Sequence, residues 1–202
     1  MRNREIARAG PADAKRVGHI LGEAFADDPV TLWILRSRWL ITVTMTRLAH
    51  AVYVPHGFVD YSTDGCGAAM WLPPGASAGL RGRDTAALAL ACLVAGRPAA
   101  LARARAFGEA VSTAKPRTPH VYLFAIGVVP AAQGKGLGGA LLRAGLAAVD
   151  RAGMPAYLES TKAANIPIYQ RYGFELCDMP RLPEGCPPLY PMWRPASAGA
   201  AS

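Results

Sequence analysis

The stretch Gln133-Gly134-Lys135-Gly136-Leu137-Gly138-Gly139 has the residue types and spacing of a phosphate-binding turn. Glycine has no Cβ atom, so successive backbone N–H groups can converge on phosphate oxygens. The leucines that follow recur at helical spacing, which predicts that the turn opens a helix whose N-terminus attracts anions. Lys135 adds positive charge. A ligand-free helix start is a poor explanation, because glycines in a helix cost about 1 kcal/mol each relative to alanine.

Two kinds of ligand fit this turn. From Gly134 it reads G-x-G-x-x-G, which seats a dinucleotide, and Glu159 ends the next predicted strand, where a ribose-binding acid would lie. From Gln133 it reads Q-x-x-G-x-G, a loop that can wrap the pyrophosphate of coenzyme A. Residues 130–133 separate the preceding strand from the first glycine, and too little chain follows Gly139 for the remaining βαβ units of a dinucleotide fold. We favour coenzyme A and keep a dinucleotide-dependent oxidoreductase as an alternative.

The elements that must position the turn are predicted from hydrophobic periodicity and from glycine and proline breaks. Predicted strands are REIARAG, a hairpin in GFVDYSTDGCGAAMWLPPG, HVYLFAIGVVP, PAYLES, FELCDM and LYPMW. Predicted helices follow Asp13 and Pro29, occupy most of residues 76–114, run from the glycine turn to about residue 152, and include NIPIYQRYGF. Residues 75–118 are named here the helical insert. We expect one domain over residues 1–196 and a flexible tail at residues 197–202.

The bulk composition limits the partners. The chain has 202 residues, of which 51% are hydrophobic, so it can bury one core. Its net charge of +8 suits an anionic ligand, but no nucleic-acid-binding module accompanies the basic residues, which fit a solvated helical face. Four cysteines and four histidines show no ligand spacing, so no metal is expected. The N-terminus lacks a signal-peptide core and no apolar run is long enough to span a bilayer, so we expect a cytoplasmic protein without membrane partners. Monomer and homodimer stay open.

Two segments resemble the GNAT superfamily of N-acetyltransferases. AIGVVPAAQGKGLGGALL is similar to the family's V-x-P-x-x-[QR]-x-x-G-x-G segment, and NIPIYQRYGF is similar to its second signature, a tyrosine four residues before a Gly-Phe pair. FADDP, PAYLEST and LPEG further resemble the puromycin N-acetyltransferase-like branch. The resemblance implies an α/β fold with a mixed, mostly antiparallel sheet, splayed central strands and flanking helices, in which the helical insert precedes the central strand. It also implies acetyl-CoA as the source of an acetyl group.

The resemblance implies roles for individual residues. Backbone groups of Ile126 and Val128 would engage the pantetheine arm and the thioester carbonyl, with an N–H group as oxyanion donor. Tyr169 matches the family's general acid: a phenol titrates at about 10 and a thiol at about 8.5, so it stays protonated at neutral pH beside the departing sulfur. A packing role for Tyr169 is the alternative. Asn165 would bind pantetheine, and it is also a natural N-cap ahead of Pro167.

The acceptor side is less defined. Glu159 could accept a proton from the amine, directly or through water, or it could be a solvated strand end. Asp27 and Asp28 could attract a cationic amine, or they could only form a turn. We expect an acetyl-CoA-dependent N-acetyltransferase that acts on a small molecule, such as an antibiotic or an amino-acid-like compound. A protein or peptide N-acetyltransferase and a non-catalytic acyl-CoA-binding module are the alternatives.

Overall fold

A computed structural model describes residues 5–197, and a seven-stranded sheet forms their centre. The strands are β1 Ile6–Arg8, β2 Phe58–Ser62, β3 Gly67–Leu72, β4 Val121–Val128, β5 Ala156–Ser160, β6 Glu175–Leu176 and β7 Tyr190–Arg194. They lie in the order β1-β2-β3-β4-β5-β7-β6. Neighbouring strands are antiparallel except β4 and β5, which run parallel. The predicted mixed, mostly antiparallel sheet is confirmed.

Helices flank the sheet on both faces. They are α1 Ala14–Ala24, α2 Pro29–Leu35, α3 Arg38–Leu48, α4 Val54–His56, α5 Arg83–Val94, α6 Ala99–Ala114, α7 Leu137–Arg151 and α8 Ile166–Gln170. A π-helical turn, Ala49–Tyr53, continues α3 into α4. The helical insert folds as α5 and α6, between β3 and β4, as its composition predicted.

Turn-forming residues mark the helix starts near the N-terminus. Pro29 opens α2, and the Asp28 carboxylate caps that helix by accepting the N–H of Thr31 at 2.8 Å. Helix α1 begins after Asp13, as predicted, but the Asp13 carboxylate accepts the N–H of Gly10 at 2.9 Å instead of capping α1. The FADDP break therefore lies between two helices because its aspartate and proline end one and begin the next.

Two hydrophobic cores lie on opposite faces of the sheet. One packs the sheet against α1, α3 and the π-helical turn, with Leu21 and Tyr53 fully buried. The other packs the sheet against α7 and α8, with Trp71 and Leu141 fully buried. Helix α7 approaches β3 closely because Gly145 has no side chain: a Cβ atom there would overlap the indole of Trp71. This contact holds the helix that the glycine turn opens.

Some predicted boundaries differ from the structure. The strand predicted in FELCDM is reduced to β6, because only Glu175 and Leu176 pair with β7. Of the tail predicted at residues 197–202, only Ser197 lies within the described residues. Between residues 5 and 197, no helix is both long and apolar enough to cross a membrane. Over the same range, no group of three metal-ligating side chains is arranged to hold an ion.

Candidate active site

The divergence of the two central strands creates a cavity of about 720 Å³. Parallel pairing joins Val121–Leu123 to Ala156–Leu158 and stops there, although both strands continue. The predicted splay of the central strands is therefore present. Residues from both cores line the cavity, among them Phe25, which follows α1, and Leu142 of α7, so it connects the two faces of the sheet.

The open edge of β4 provides backbone hydrogen-bonding groups to this cavity. The N–H of Val129 donates to the carbonyl of Cys66, beside β3, at 2.9 Å. In an antiparallel ladder alternate residues point to opposite sides, so Ile126 and Val128 direct their N–H and C=O groups away from β3 and into the gap. The Val128 carbonyl accepts the side-chain amide of Gln133 at 3.0 Å. The two backbone positions predicted for pantetheine therefore face the cavity, which both residues line.

The glycine turn forms one end of the cavity. Gly134 and Gly136 have φ of 72° and 79°, a region that other residues rarely adopt, and Gly136 is the N-cap of α7. A Cβ atom on either glycine would meet nothing within 4 Å, and both glycines line the cavity. The first i→i−4 hydrogen bond of α7 runs from Ala140 to Gly136, which leaves the preceding amides pointing out of the helix end. This cradle fits a pyrophosphate.

The remaining residues of the turn contribute unequally. Gln133, Leu137, Gly138 and Gly139 line the cavity with the two left-handed glycines. The Leu137 side chain is buried in the α7 core, so only its backbone can face a ligand. Lys135 does not line the cavity, and its ammonium donates to the Ala131 carbonyl at 3.0 Å. Its predicted role in ligand binding would therefore require a different side-chain rotamer.

Two arginines that the sequence reading missed line the cavity, Arg143 and Arg171. Arg143 donates to the Tyr172 hydroxyl at 3.0 Å, and this hydroxyl donates to the Gly139 carbonyl at 3.3 Å. Tyr172, which follows α8, is therefore tied to the first two turns of α7 beside the Arg143 charge. Arg143 lies four residues beyond Gly139, one helical turn away, which was the available sequence signal.

Tyr169 lines the cavity from the α7 side of the sheet. Its ring packs edge-on against Phe174, with centroids 6.1 Å apart, and the residue is only 9% exposed. Burial raises the pKa of the Tyr169 phenol to about 12. Among residues 5–197 its hydroxyl has no hydrogen-bond partner, so it is a protonated donor without a protein acceptor. Asn165, which precedes α8 without capping it through its side chain, lines the same cavity.

Glu159 lines the cavity from the opposite side of the sheet. Its Oε2 accepts the Tyr122 hydroxyl at 2.6 Å, whereas its buried Oε1 has no partner among the described residues. Burial raises the pKa of this carboxyl, while the Lys115 charge and the Tyr122 and Tyr157 hydroxyls oppose the rise. Glu159 is therefore not the solvated strand end that was its alternative explanation. It is a desolvated carboxylate with one uncommitted oxygen.

Contacts between distant segments close the cavity beside Glu159. The Thr161 hydroxyl donates to Asp28 Oδ2 in a short hydrogen bond across 133 residues of sequence. The Lys162 ammonium pairs with Asp27 at 3.0 Å. Asp28, which is 3% exposed, Thr161 and Lys162 line the cavity, and Asp27 lies beside them. The Asp28 carboxylate therefore both caps α2 and lines the cavity.

Known proteins share this fold. The acetyltransferase of Corynebacterium glutamicum described as "histone acetyltransferase HPA2 and related acetyltransferase" is 24% identical, with a TM-score of 0.72 over 96% of this chain and 97% of that one. Drosophila melanogaster polyamine N-acetyltransferase is 15% identical (TM-score 0.59; 94% and 99% covered), and a mosquito protein described as "arylalkylamine N-Acetyltransferase like 5b" is 13% identical (TM-score 0.57; 94% and 99% covered). The model of the acetyltransferase (GNAT) family matches residues 63–174. The chain belongs to this family and is an acetyl-CoA-dependent N-acetyltransferase.

Proposed function

We propose that this member of the acetyltransferase (GNAT) family acetylates the amine of a small molecule, with Glu159 as proton acceptor and Tyr169 as general acid. The proposal of a small acceptor rests on one observation, that contacts between distant segments close one end of the cavity. Asp28 with Thr161, and Asp27 with Lys162, bridge the two segments that would border an acceptor groove. An extended peptide needs an open groove, whereas a bounded, acidic pocket fits a compact cationic amine.

The cavity has the features that acetyl-CoA requires at its other end. The Gly136 cradle and the free amides of α7 suit the pyrophosphate, with Arg143 as a nearby positive charge. The open edge of β4 at Ile126 and Val128 suits the amide groups of pantetheine, and Asn165 is placed to add a further hydrogen bond. When bound, acetyl-CoA supplies the activated acetyl thioester. The lining residues orient it through these groups.

Glu159 is suited to take the proton that the acceptor amine must lose. A carboxylate whose pKa is raised by burial is a stronger base than an ordinary one, and catalytic bases work best when their pKa approaches the ambient pH. Because Tyr122 holds Oε2, the uncommitted Oε1 is the atom available to the amine or to a bridging water. The positive charge of the incoming amine also attracts it to this carboxylate.

Tyr169 is suited to stabilise the leaving sulfur. With a pKa of about 12, the phenol keeps its proton throughout the physiological range. Its unpartnered hydroxyl can donate toward the negative charge that develops on sulfur as the carbon–sulfur bond breaks. Placing the donor and Glu159 on opposite faces of the sheet keeps the two proton transfers apart. Each residue therefore acts on a different end of the reaction.

The experiment that tests this function measures coenzyme A thiol release with a panel of amines. The resemblance of FADDP and PAYLEST to the puromycin N-acetyltransferase-like branch makes aminonucleosides the first probes, followed by aminoglycosides, polyamines and lysine peptides. We expect turnover with one class of small amine, and mass spectrometry should show one added acetyl group on the product. Turnover confined to lysine-bearing proteins would replace the small acceptor with a protein acceptor.

A further inference from the structure

Lys115 occupies an unusual position behind the carboxylate of Glu159. It follows the last turn of α6, in the helical insert, and its ammonium lies 3.4 Å from the centroid of the Tyr122 ring. Within residues 5–197 no carboxylate lies within ion-pair distance of this ammonium, and it makes no hydrogen bond. It borders a second cavity of about 250 Å³ with Arg117 and His120. An unpaired, partly desolvated cation is costly, so its position needs an explanation.

The Tyr122 ring connects Lys115 to Glu159. The Lys115 ammonium lies over one face of the ring, and the Tyr122 hydroxyl donates to Glu159 Oε2 at 2.6 Å. A cation over an aromatic face draws electron density from the ring, which makes a phenolic O–H a stronger donor. Lys115 therefore acts on the carboxylate in two ways: through space as an opposite charge, and through a strengthened Tyr122 hydrogen bond.

The other groups around Glu159 cannot replace this charge. Tyr53, from the π-helical turn, and Tyr157, from β5, present neutral phenols whose pKa values are raised by burial. His120 packs edge-on against Tyr157, and burial together with the nearby Lys115 charge lowers its pKa, so it is neutral at physiological pH. Lys162, on the cavity side, is paired with Asp27. Lys115 is thus the cation that offsets the burial of Glu159.

We propose that Lys115 is a positioning residue that acts through Tyr122 to keep the Glu159 carboxylate ionised and ready to accept a proton. This inference rests on the proposed role of Glu159 in the reaction. It gives the helical insert a function, because the insert delivers a charge to the site without touching either substrate. Loss of that charge should leave acetyl-CoA binding intact and shift the pH at which the base becomes active.

The test is a titration of the Glu159 side chain by carboxyl ¹³C NMR in the free enzyme, with Glu159→Gln identifying its resonance. Lys115→Met should raise the midpoint by about one pH unit, the effect of removing one nearby opposite charge. Lys115→Arg retains the charge and should titrate close to the wild type. Tyr122→Phe keeps the ring but loses the hydrogen bond, and it should also raise the midpoint. It serves as the second variant if Lys115→Met does not fold.

Kinetic measurements then distinguish the proposed role of Lys115 from the proposed role of Glu159 as the base. The acidic limb of kcat/KM should move upward in Lys115→Met by the same amount as the NMR midpoint, and it should vanish in Glu159→Gln. An unchanged midpoint in folded Lys115→Met overturns the role of Lys115, whatever Glu159 does. A normal acidic limb in Glu159→Gln overturns the role of Glu159 as base, even when the NMR midpoint responds to Lys115.

Discussion

Tyr169 and Glu159 line one cavity from opposite faces of the central sheet. The cavity can connect them because β4 and β5 stop pairing after Leu123 and Leu158. In a continuous sheet the two side chains would be separated by backbone. The splay therefore brings a phenolic hydroxyl and a carboxylate to one cavity, as the proposed transfer requires.

Tyr169→Phe should reduce kcat more than tenfold while changing the KM for acetyl-CoA little, because the lost donor matters mainly in the transition state. General-acid contributions are about 10²- to 10⁴-fold, and water can replace part of them. Steady-state kinetics at saturating acceptor will measure the effect. Because burial raises the pKa of this phenol to about 12, wild-type activity should show no decline from Tyr169 ionisation below about pH 10.

Tyr172→Phe is the matched control for that prediction. It removes the hydroxyl that donates to the Gly139 carbonyl and accepts from Arg143, so it should raise the KM for acetyl-CoA more than it lowers kcat. A near-normal kcat in Tyr169→Phe, together with a lowered melting temperature, would instead assign Tyr169 to packing against Phe174.

Gly136→Val should abolish tight acetyl-CoA binding by filling the cradle at the start of α7. Gly153→Val is the control: it lies just beyond the other end of the same helix, also has a positive φ (61° against 79°), and also has open space around its Cβ position. Both variants should lose similar stability from backbone strain. Isothermal titration calorimetry should show that only Gly136→Val loses affinity. Equal affinities in the two folded variants would remove the pyrophosphate from this turn.

The glycine turn and the order of elements were predictable because their signals are local. Glycines directly before a leucine-rich segment predict a helix start, and the structure gives two of them a left-handed conformation. The tyrosine four residues before Gly173 and Phe174 belongs to a recognisable motif. The fold class was implied by the resemblance of these segments to the GNAT superfamily. Lys135 shows the limit of this reasoning: a positive charge in the turn suggests phosphate binding, yet its ammonium donates to the Ala131 carbonyl outside the cavity lining.

Long-range contacts could not be predicted from the sequence. Tyr122 and Glu159 are 37 residues apart, and their contact depends on the register that places Tyr122 opposite Tyr157 in the parallel strand pair. Lys115 reaches them from the helical insert, where the Ala/Leu/Arg-rich pattern only predicted a solvated helix. Such clusters depend on how separate elements pack, and spacing along one segment carries no information about that.

Glu159→Gln should stabilise the protein, and more so at high pH. Folding raises the pKa of this carboxyl, so its protonated form is the one that the fold favours. The cost of ionisation is absent below the unfolded pKa of about 4.3, and it develops as pH rises through the folded pKa. The melting-temperature gain of Glu159→Gln over the wild type should therefore be larger at about pH 8 than at about pH 5. The exposed Glu109→Gln should give a similar difference at both pH values.

Thr161→Val should open the closed end of the cavity and weaken acceptor binding. The change keeps the shape of the side chain but removes the donor to Asp28 Oδ2, so the carboxylate loses its link across the cavity. We expect the acceptor KM to rise by about 10- to 100-fold, the equivalent of one hydrogen bond to a charged group, with the acetyl-CoA KM unchanged. Thr31→Val is the control, because its hydroxyl donates to the other oxygen of the same carboxylate, at 2.7 Å, from outside the cavity. It should leave the acceptor KM near the wild-type value.

Equal effects of the two substitutions would mean that Asp28 acts only as the cap of α2. A gain of activity toward lysine peptides in Thr161→Val alone would show that this contact is what excludes larger acceptors.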